Sequence, residues 1–238
     1  TAILYSSVGF GGGSTYLALM LIWEIPFYII PILALCCNII VVLGNSINYI
    51  KSGNFSLNLL LPYVVGSVPL AFFGASLSIS KELFEILLFV ILTIAGILLL
   101  NRSKFFDSNK IKINQIPKKI SVLIGCVIGF ISGIVGIGGG IFLSPILFLI
   151  KAGYPKQIAT TASLFILINS IFGVAGQLTK DIVLNQFLNF WPLFLVVFMG
   201  GQIGNFLNIK FLSNKTLSLI TSLLVIFVAI RMGLKLLP

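Results

Sequence analysis

The charges of this chain leave eight long gaps. Residues 1–23, 25–50, 52–80, 86–101, 120–150, 157–179, 182–209 and 216–230 contain no Asp, Glu, Lys or Arg. A bilayer's hydrocarbon core is about 30 Å thick, and a helix needs roughly 20 apolar residues to cross it. Most gaps meet that length, and the two shorter ones reach it with flanking residues. Inside lipid every backbone polar group must be satisfied internally, so spans are helices or closed barrels. Barrel strands alternate apolar and polar over about ten residues, whereas 87–100 and 217–230 are apolar on nearly every side. The pattern predicts an all-α membrane protein, a polytopic bundle of about eight hydrophobic segments.

Composition and charge placement agree. Hydrophobic residues make up 58% of the chain and charged ones 8%, against roughly a quarter charged in soluble domains. The net charge of +10 is not distributed as a nucleic-acid footprint. Arg102, Lys104, Lys110, Lys112, Lys118 and Lys119 fall in one loop, offset only by Asp107. Such a cluster between spans marks a cytoplasmic loop, where anionic lipid also attracts it. No nucleic-acid motif accompanies it. Membrane lipids are the expected surroundings, and homo-oligomerisation stays open. Cys36, Cys37 and Cys126 lie within apolar segments without metal or redox spacing, which reads as packing.

A repeat organises the chain. Val8-Gly9-Phe10-Gly11-Gly12-Gly13 returns as Val135-Gly136-Ile137-Gly138-Gly139-Gly140, 127 positions later. After each motif come a long apolar segment, a short turn and a segment with an interior proline and a small-residue patch (Pro62 to Gly74, Pro192 to Gly204). Each half closes with a plain apolar helix, at 83–101 and 214–237. The expected organisation is a first membrane repeat at 1–101, a basic cytoplasmic linker at 102–119 and a second repeat at 120–238. The first motif has seven residues before it and the second about fifteen within its segment, so further residues are expected ahead of Thr1.

Consecutive glycines inside a membrane segment point to a broken helix. Glycine tolerates positive φ and costs about 1 kcal/mol relative to alanine in a helix interior. Close helix packing would be served by glycines four apart; three in a row fit a break better. A helix that starts at such a break presents unpaired N–H groups and partial positive charge near the bilayer centre, where an anion binds without a buried cation. As one straight helix, 120–150 would reach about 46 Å, so it must tilt, break or fold back as a re-entrant hairpin. Eight full crossings make the halves parallel, and re-entrant hairpins make them inverted.

The candidate substrate site combines the two breaks with polar residues inside the spans. It comprises Gly11, Gly12, Gly13, Asn38, Gly138, Gly139, Gly140, Thr161, Ser163 and Gln202. Intramembrane polar side chains face the bundle interior, and neutral donors beside glycine breaks suit an oxyanion that accepts several hydrogen bonds. The chain has no histidine, and Glu24, Glu82 and Glu85 sit near segment ends, so no buried proton relay is read. No P-loop, nucleophile with its base or acid–base pair is read either. The expectation is a transporter of a small anion, not an enzyme, without a cofactor. An inside-negative potential drives a monoanion outward by about 2.3 kcal/mol per 100 mV, so export needs no coupled ion and import would.

Both halves, opened by Val8–Gly13 and Val135–Gly140, resemble the TauE/SafE sulfite exporter family, also called the four-toluene sulfonate uptake permease family. The stretch from Pro145 through Ala162-Ser163 and the Gly200, Gly201, Gly204 pattern share the likeness, which covers nearly the whole chain. The resemblance implies a multi-pass carrier of the bacterial inner membrane for sulfite, sulfoacetate or related organosulfonates. Export is the favoured direction; the alternative is an importer or a carrier of another small anion, ion-coupled if so. Cys36-Cys37-Asn38 stands near the place of Thr161-Ala162-Ser163, so the two sites need not be equivalent.

Overall fold

The computed structural model describes residues 1–102, 113–114, 116–180 and 188–210, with positions 223, 226–227, 229–230 and 233 of the last segment. Most of the expected closing helix at 214–237, and linker residues 103–112 and 115, lie outside the described residues. Among those described there are nine helices and no strand. They are α1 (Ala2–Val8), α2 (Gly13–Ile22), α3 (Ile30–Lys51), α4 (Leu57–Ser76), α5 (Lys81–Arg102), α6 (Lys118–Val135), α7 (Gly140–Leu149), α8 (Pro155–Gln177) and α9 (Trp191–Lys210). A short 3-10 turn, Leu188–Phe190, leads into α9. Four helices, α3, α4, α6 and α8, are long and apolar enough to cross a bilayer.

α3 and α8 form the centre. Their most apolar stretches are 67% and 61% buried, against 39% for α4 and for α6. They run antiparallel: Ser46 meets Ser163 and Leu35 meets Gly173. Both carry buried polar residues, Asn38, Asn45 and Ser46 on α3 and Thr160, Thr161, Ser163, Asn169 and Ser170 on α8. Polar groups on these two helices therefore face protein, where hydrogen bonds are available, and lipid is left to the outer ones.

Small residues bring α4 and α6 together. Gly125, Gly129 and Gly133 of α6 lie against the carbonyls of Tyr63, Ser67 and Ala71 on α4. In return, Gly66 and Gly74 of α4 lie against the carbonyls of Val122 and Phe130. The helices thus run parallel, backbone on backbone, the close approach that glycine spacing permits in membranes. The contact has a counterpart across the bundle, where the Ile3 carbonyl of α1 lies against Gly204 of α9 and the Ser6 hydroxyl donates to the Gly201 carbonyl at 2.7 Å.

Neither 1–23 nor 120–150 is one continuous helix, and 120–150 folds back. α6 descends until Gly136 stands against Pro31, at the start of α3. The chain then climbs through the glycine run to Gly138 beside Asn38, and α7 continues upward. At its end the Lys151 carbonyl accepts from Asn114 N–H at 3.0 Å, and the Ile150 carbonyl from Asn114 Nδ2 at 3.2 Å. α7 therefore ends beside the segment that precedes α6, so 120–150 is a hairpin that returns to its starting end and not a single crossing. α1 mirrors it: it climbs alongside α3 to Gly9, against Tyr49, and the run returns Gly11 and Gly13 to Asn38. Backbone torsions recur at the same offset as the motif. Gly9, Gly12 and Glu24 have φ of 85°, 90° and 59°; Gly136, Gly139 and Lys151 have 85°, 78° and 54°.

Charges sort by end among the described residues. Lys51, Arg102, Lys118, Lys119, Lys151, Lys156 and Lys210 gather where α4, α6 and α8 begin, here called the loop end. Glu24, Lys81, Glu82, Glu85 and Lys180 lie at the far end, where Phe84 meets Phe27.

Candidate anion site at the glycine crossing

The two glycine runs enter from opposite ends and pass each other beside the middle of α3. Gly12 caps α2 and Gly139 caps α7 in the left-handed region, and neither helix has a side-chain cap. A residue with a Cβ rarely holds that backbone, so the run can stop one helix and start the next only with glycine there. The first N–H groups of any helix lack intrahelical acceptors. Among the described residues, the N–H groups of Gly11, Gly12, Gly13 and Ser14 find no acceptor, nor do those of Gly138, Gly139, Gly140 and Ile141. Two partial positive charges, each roughly half an elementary charge, thus point into one place.

Asn38 fills the gap between the runs. Its Nδ2 donates to the Ile137 carbonyl at 2.9 Å. Its Oδ1 lies over Gly11 and has no partner, on a side chain fully buried. A Cβ on Gly13 would come 2.6 Å from Asn38 Nδ2 and 2.8 Å from the Ile137 carbonyl, so glycine is what lets the runs touch. Two further hydroxyls point to the same place without partners: Tyr16 beside Gly12 and Ser170 beside Gly138. Tyr5 closes one side, bonded to Thr15 Oγ1 at 2.7 Å and Ser14 Oγ at 3.2 Å. The small cleft here is about 10 Å³, lined by the first glycine run, Tyr5, Ile166 and, from the second hairpin, Ile137 and Ile141 on either side of its glycines. That is room for about one water.

Of the residues singled out from sequence, seven meet here: Gly11, Gly12, Gly13, Asn38, Gly138, Gly139 and Gly140. Thr161 is buried on α8 with its hydroxyl unpartnered, five residues before Ile166. Ser163 pairs with Ser46 at 3.1 Å, about 12 Å along α3 from Asn38. Gln202 is exposed and lies on α9 against Gly44, away from the crossing. Asn38 also pairs differently than expected. Ile166 stands against Gly140 as Asn38 stands against Gly13, so its counterpart is Ile166 and not Ser163. Tyr5, Tyr16 and Ser170 join the site unannounced by the motif; Tyr5 and Tyr16 flank the first glycine run, where the second has Ser132 and Leu143.

The family described as sulfite exporter TauE/SafE matches residues 1–232. The probable membrane transporter protein y4hK of Sinorhizobium fredii is 30% identical over 237 residues, 99% of this chain and 94% of its own length. The probable membrane transporter protein YunE of Bacillus subtilis is 22% identical over 252 residues, 95% of this chain and 91% of its own. Methanocaldococcus jannaschii has a third, MJ0441, 33% identical over 128 residues, 52% of this chain and 43% of its own. No solved structure matches significantly. Duplicated glycine runs, a multi-pass helical bundle and a match spanning nearly every residue agree: the chain belongs to the TauE/SafE sulfite exporter family of membrane transporters.

Proposed function

We propose that this chain is a secondary carrier that exports a small sulfur-containing oxyanion, such as sulfite, sulfoacetate or a related organosulfonate, across the bacterial inner membrane. One observation carries the reading: two helix starts with unpaired N–H groups meet around the buried side chain of Asn38. Oriented N–H donors hold an oxyanion by charge-assisted hydrogen bonds. They impose no buried ammonium that would hold it too tightly to release. Because Asn38 Oδ1 is an acceptor at the same place, an anion that keeps one hydroxyl, such as hydrogen sulfite, satisfies both kinds of partner.

The cavity of about 10 Å³ describes a closed site. An oxyanion of sulfur is several times larger than a water, so binding requires the hairpins α1–α2 and α6–α7 to part. The Asn38 side chain, bonded to the Ile137 carbonyl of the second hairpin and lying over Gly11 of the first, sits between the parts that separate. Hairpins rooted at opposite ends can open the site to one side at a time, as inverted repeats do in other carriers. The basic loop end is the cytoplasmic one by the positive-inside rule. Proteoliposomes holding the purified chain and loaded with sulfite test the proposal. An imposed inside-negative potential should speed sulfite efflux, and external sulfoacetate should slow it. Flux that ignores potential and competitor alike would refute the anion carrier.

A further inference from the structure

Among donors that suit any oxyanion, the glycine crossing holds one acceptor with a fixed demand. Asn38 is fully buried, and its Nδ2 donates to the Ile137 carbonyl at 2.9 Å. Turning the amide over would set two oxygens against each other, so Oδ1 is held in place and can only accept. It has no partner. Oδ1 lies over Gly11, whereas Nδ2 is the end nearer Gly13 and Gly138. A buried acceptor in that condition carries a desolvation penalty that an incoming donor removes. Ile166 holds the matching place beside Gly140, so the second run adds no such acceptor. The Tyr16 and Ser170 hydroxyls turn to donate or accept and impose no such demand.

We propose that Asn38 selects an oxyanion bearing one proton on oxygen, so that the carrier moves an acid equivalent outward with each anion. For the sulfur substrate this means hydrogen sulfite and not the sulfite dianion, and the inference rests on the carrier reading above. The anion's bare oxygens take the open N–H groups, while its O–H donates to Oδ1. No proton passes to the protein: it stays on the anion, which after release divides into sulfite and a proton. Side chains do not compete for it. The titratable groups facing the crossing are Tyr5 and Tyr16 of the first hairpin and Cys37 of α3, and phenols and thiols are ordinarily neutral at about pH 7. α7 has no titratable residue, Lys156 of α8 and Lys210 of α9 lie at the loop end, and Cys126 of α6 stands against Gly66 of α4.

Proteoliposomes holding the full chain, loaded with sulfite near neutral pH and a trapped pH indicator, tell the two species apart. If hydrogen sulfite leaves, the dianion left behind takes up protons and the lumen turns alkaline. If the dianion leaves, the remaining hydrogen sulfite dissociates and the lumen turns acid. Potassium with valinomycin carries the compensating charge, and protein-free vesicles subtract the leak of neutral sulfur dioxide. Alkalinisation that keeps pace with flux is expected. Acidification with flux would overturn the inference and leave the carrier standing, whereas absence of flux would remove the carrier itself. A second arm uses two near-isosteric anions in mildly acidic buffer: methylphosphonate carries one proton on oxygen and methanesulfonate none. Methylphosphonate should compete with radiolabelled sulfite about tenfold better, and Asn38→Leu should erase the difference. Equal competition in the wild type, or a preference that survives Asn38→Leu, would overturn the role of Asn38. A sodium requirement for flux, measured against choline, would put a cation on Oδ1 instead and overturn it too. The lumen sign and the wild-type competition need no variant, so they decide even where Asn38→Leu misfolds.

Discussion

At the scale of the residue, two glycines and one asparagine hold the crossing together. Gly139 sits at φ 78°, and a Cβ there would meet Ile128 at 2.8 Å and Phe165 at 2.9 Å. Left-handed backbone costs a residue with a side chain about 1–2 kcal/mol before any collision. Gly12→Leu and Gly139→Leu should each insert normally yet lose transport, read as flux at equal protein per vesicle; normal flux in both would remove the crossing from the mechanism. Asn38→Leu replaces the amide with the branched aliphatic size that Ile166 has on the other side. It leaves the Ile137 carbonyl unpaired, a cost of about 1–3 kcal/mol, and should shift the apparent KM for sulfite about tenfold or more. An unchanged KM would show that Asn38 only packs. The glycine breaks were legible in the sequence because consecutive glycines fit a break better than helix packing; Asn38 shares its segment with Asn45 and Asn48, and it is the fold that puts Asn38 between the runs. Tyr16 and Ser170 were not legible, since nothing in the order of residues says that Ser170 reaches the glycine 32 positions before it.

At the scale of the element, glycine does two jobs that a sequence alone confuses. Gly125, Gly129 and Gly133 are spaced four apart and bring α6 onto α4; Gly138, Gly139 and Gly140 are consecutive and end one helix before the next. Gly200, Gly201 and Gly204 belong to the first kind, since Gly200 and Gly204 pack against Ala2 and Ile3. That is why Gln202, read beside them as a substrate ligand, points elsewhere: the glycine face of α9 is turned to α1, and Gln202 is on another. Gly129→Leu would drive a side chain into the Ser67 backbone, an overpacking that costs typically about 1–3 kcal/mol. A melt in detergent should show a clear fall in Tm, whereas Leu123→Ala, at a position 64% exposed, should melt like the wild type. Equal melts would mean that the α4–α6 contact contributes nothing to stability.

At the scale of the molecule, hydrophobic spacing announced a membrane bundle but not how many times the chain crosses. The charge-free gap at 120–150 suits one long span or a hairpin equally well, and charge counting cannot choose. Hydrogen bonds from Asn114 to Ile150 and Lys151 settle that question, and they depend on tertiary placement that no local pattern encodes. If the loop end is cytoplasmic, a cysteine placed at Gly153 and another at Asn114 should both react with an impermeant maleimide from the same face of the membrane, in a background free of native cysteines. Labelling from opposite faces would restore a single full crossing for 120–150.

The mismatch between Asn38 and Ile166 makes the pathway uneven, yet unevenness is not a valve. By microscopic reversibility, a passive carrier that binds its anion more tightly from one face must release it more slowly toward that face. The ratio of kcat/KM in the two directions is then set by the voltage alone, a Haldane constraint. Asn38→Leu should therefore move the half-saturating concentrations on both faces and leave the voltage of zero net flux where it was. Were that reversal voltage to shift, a second ion would be travelling with the anion, and Asn38 would be part of its path.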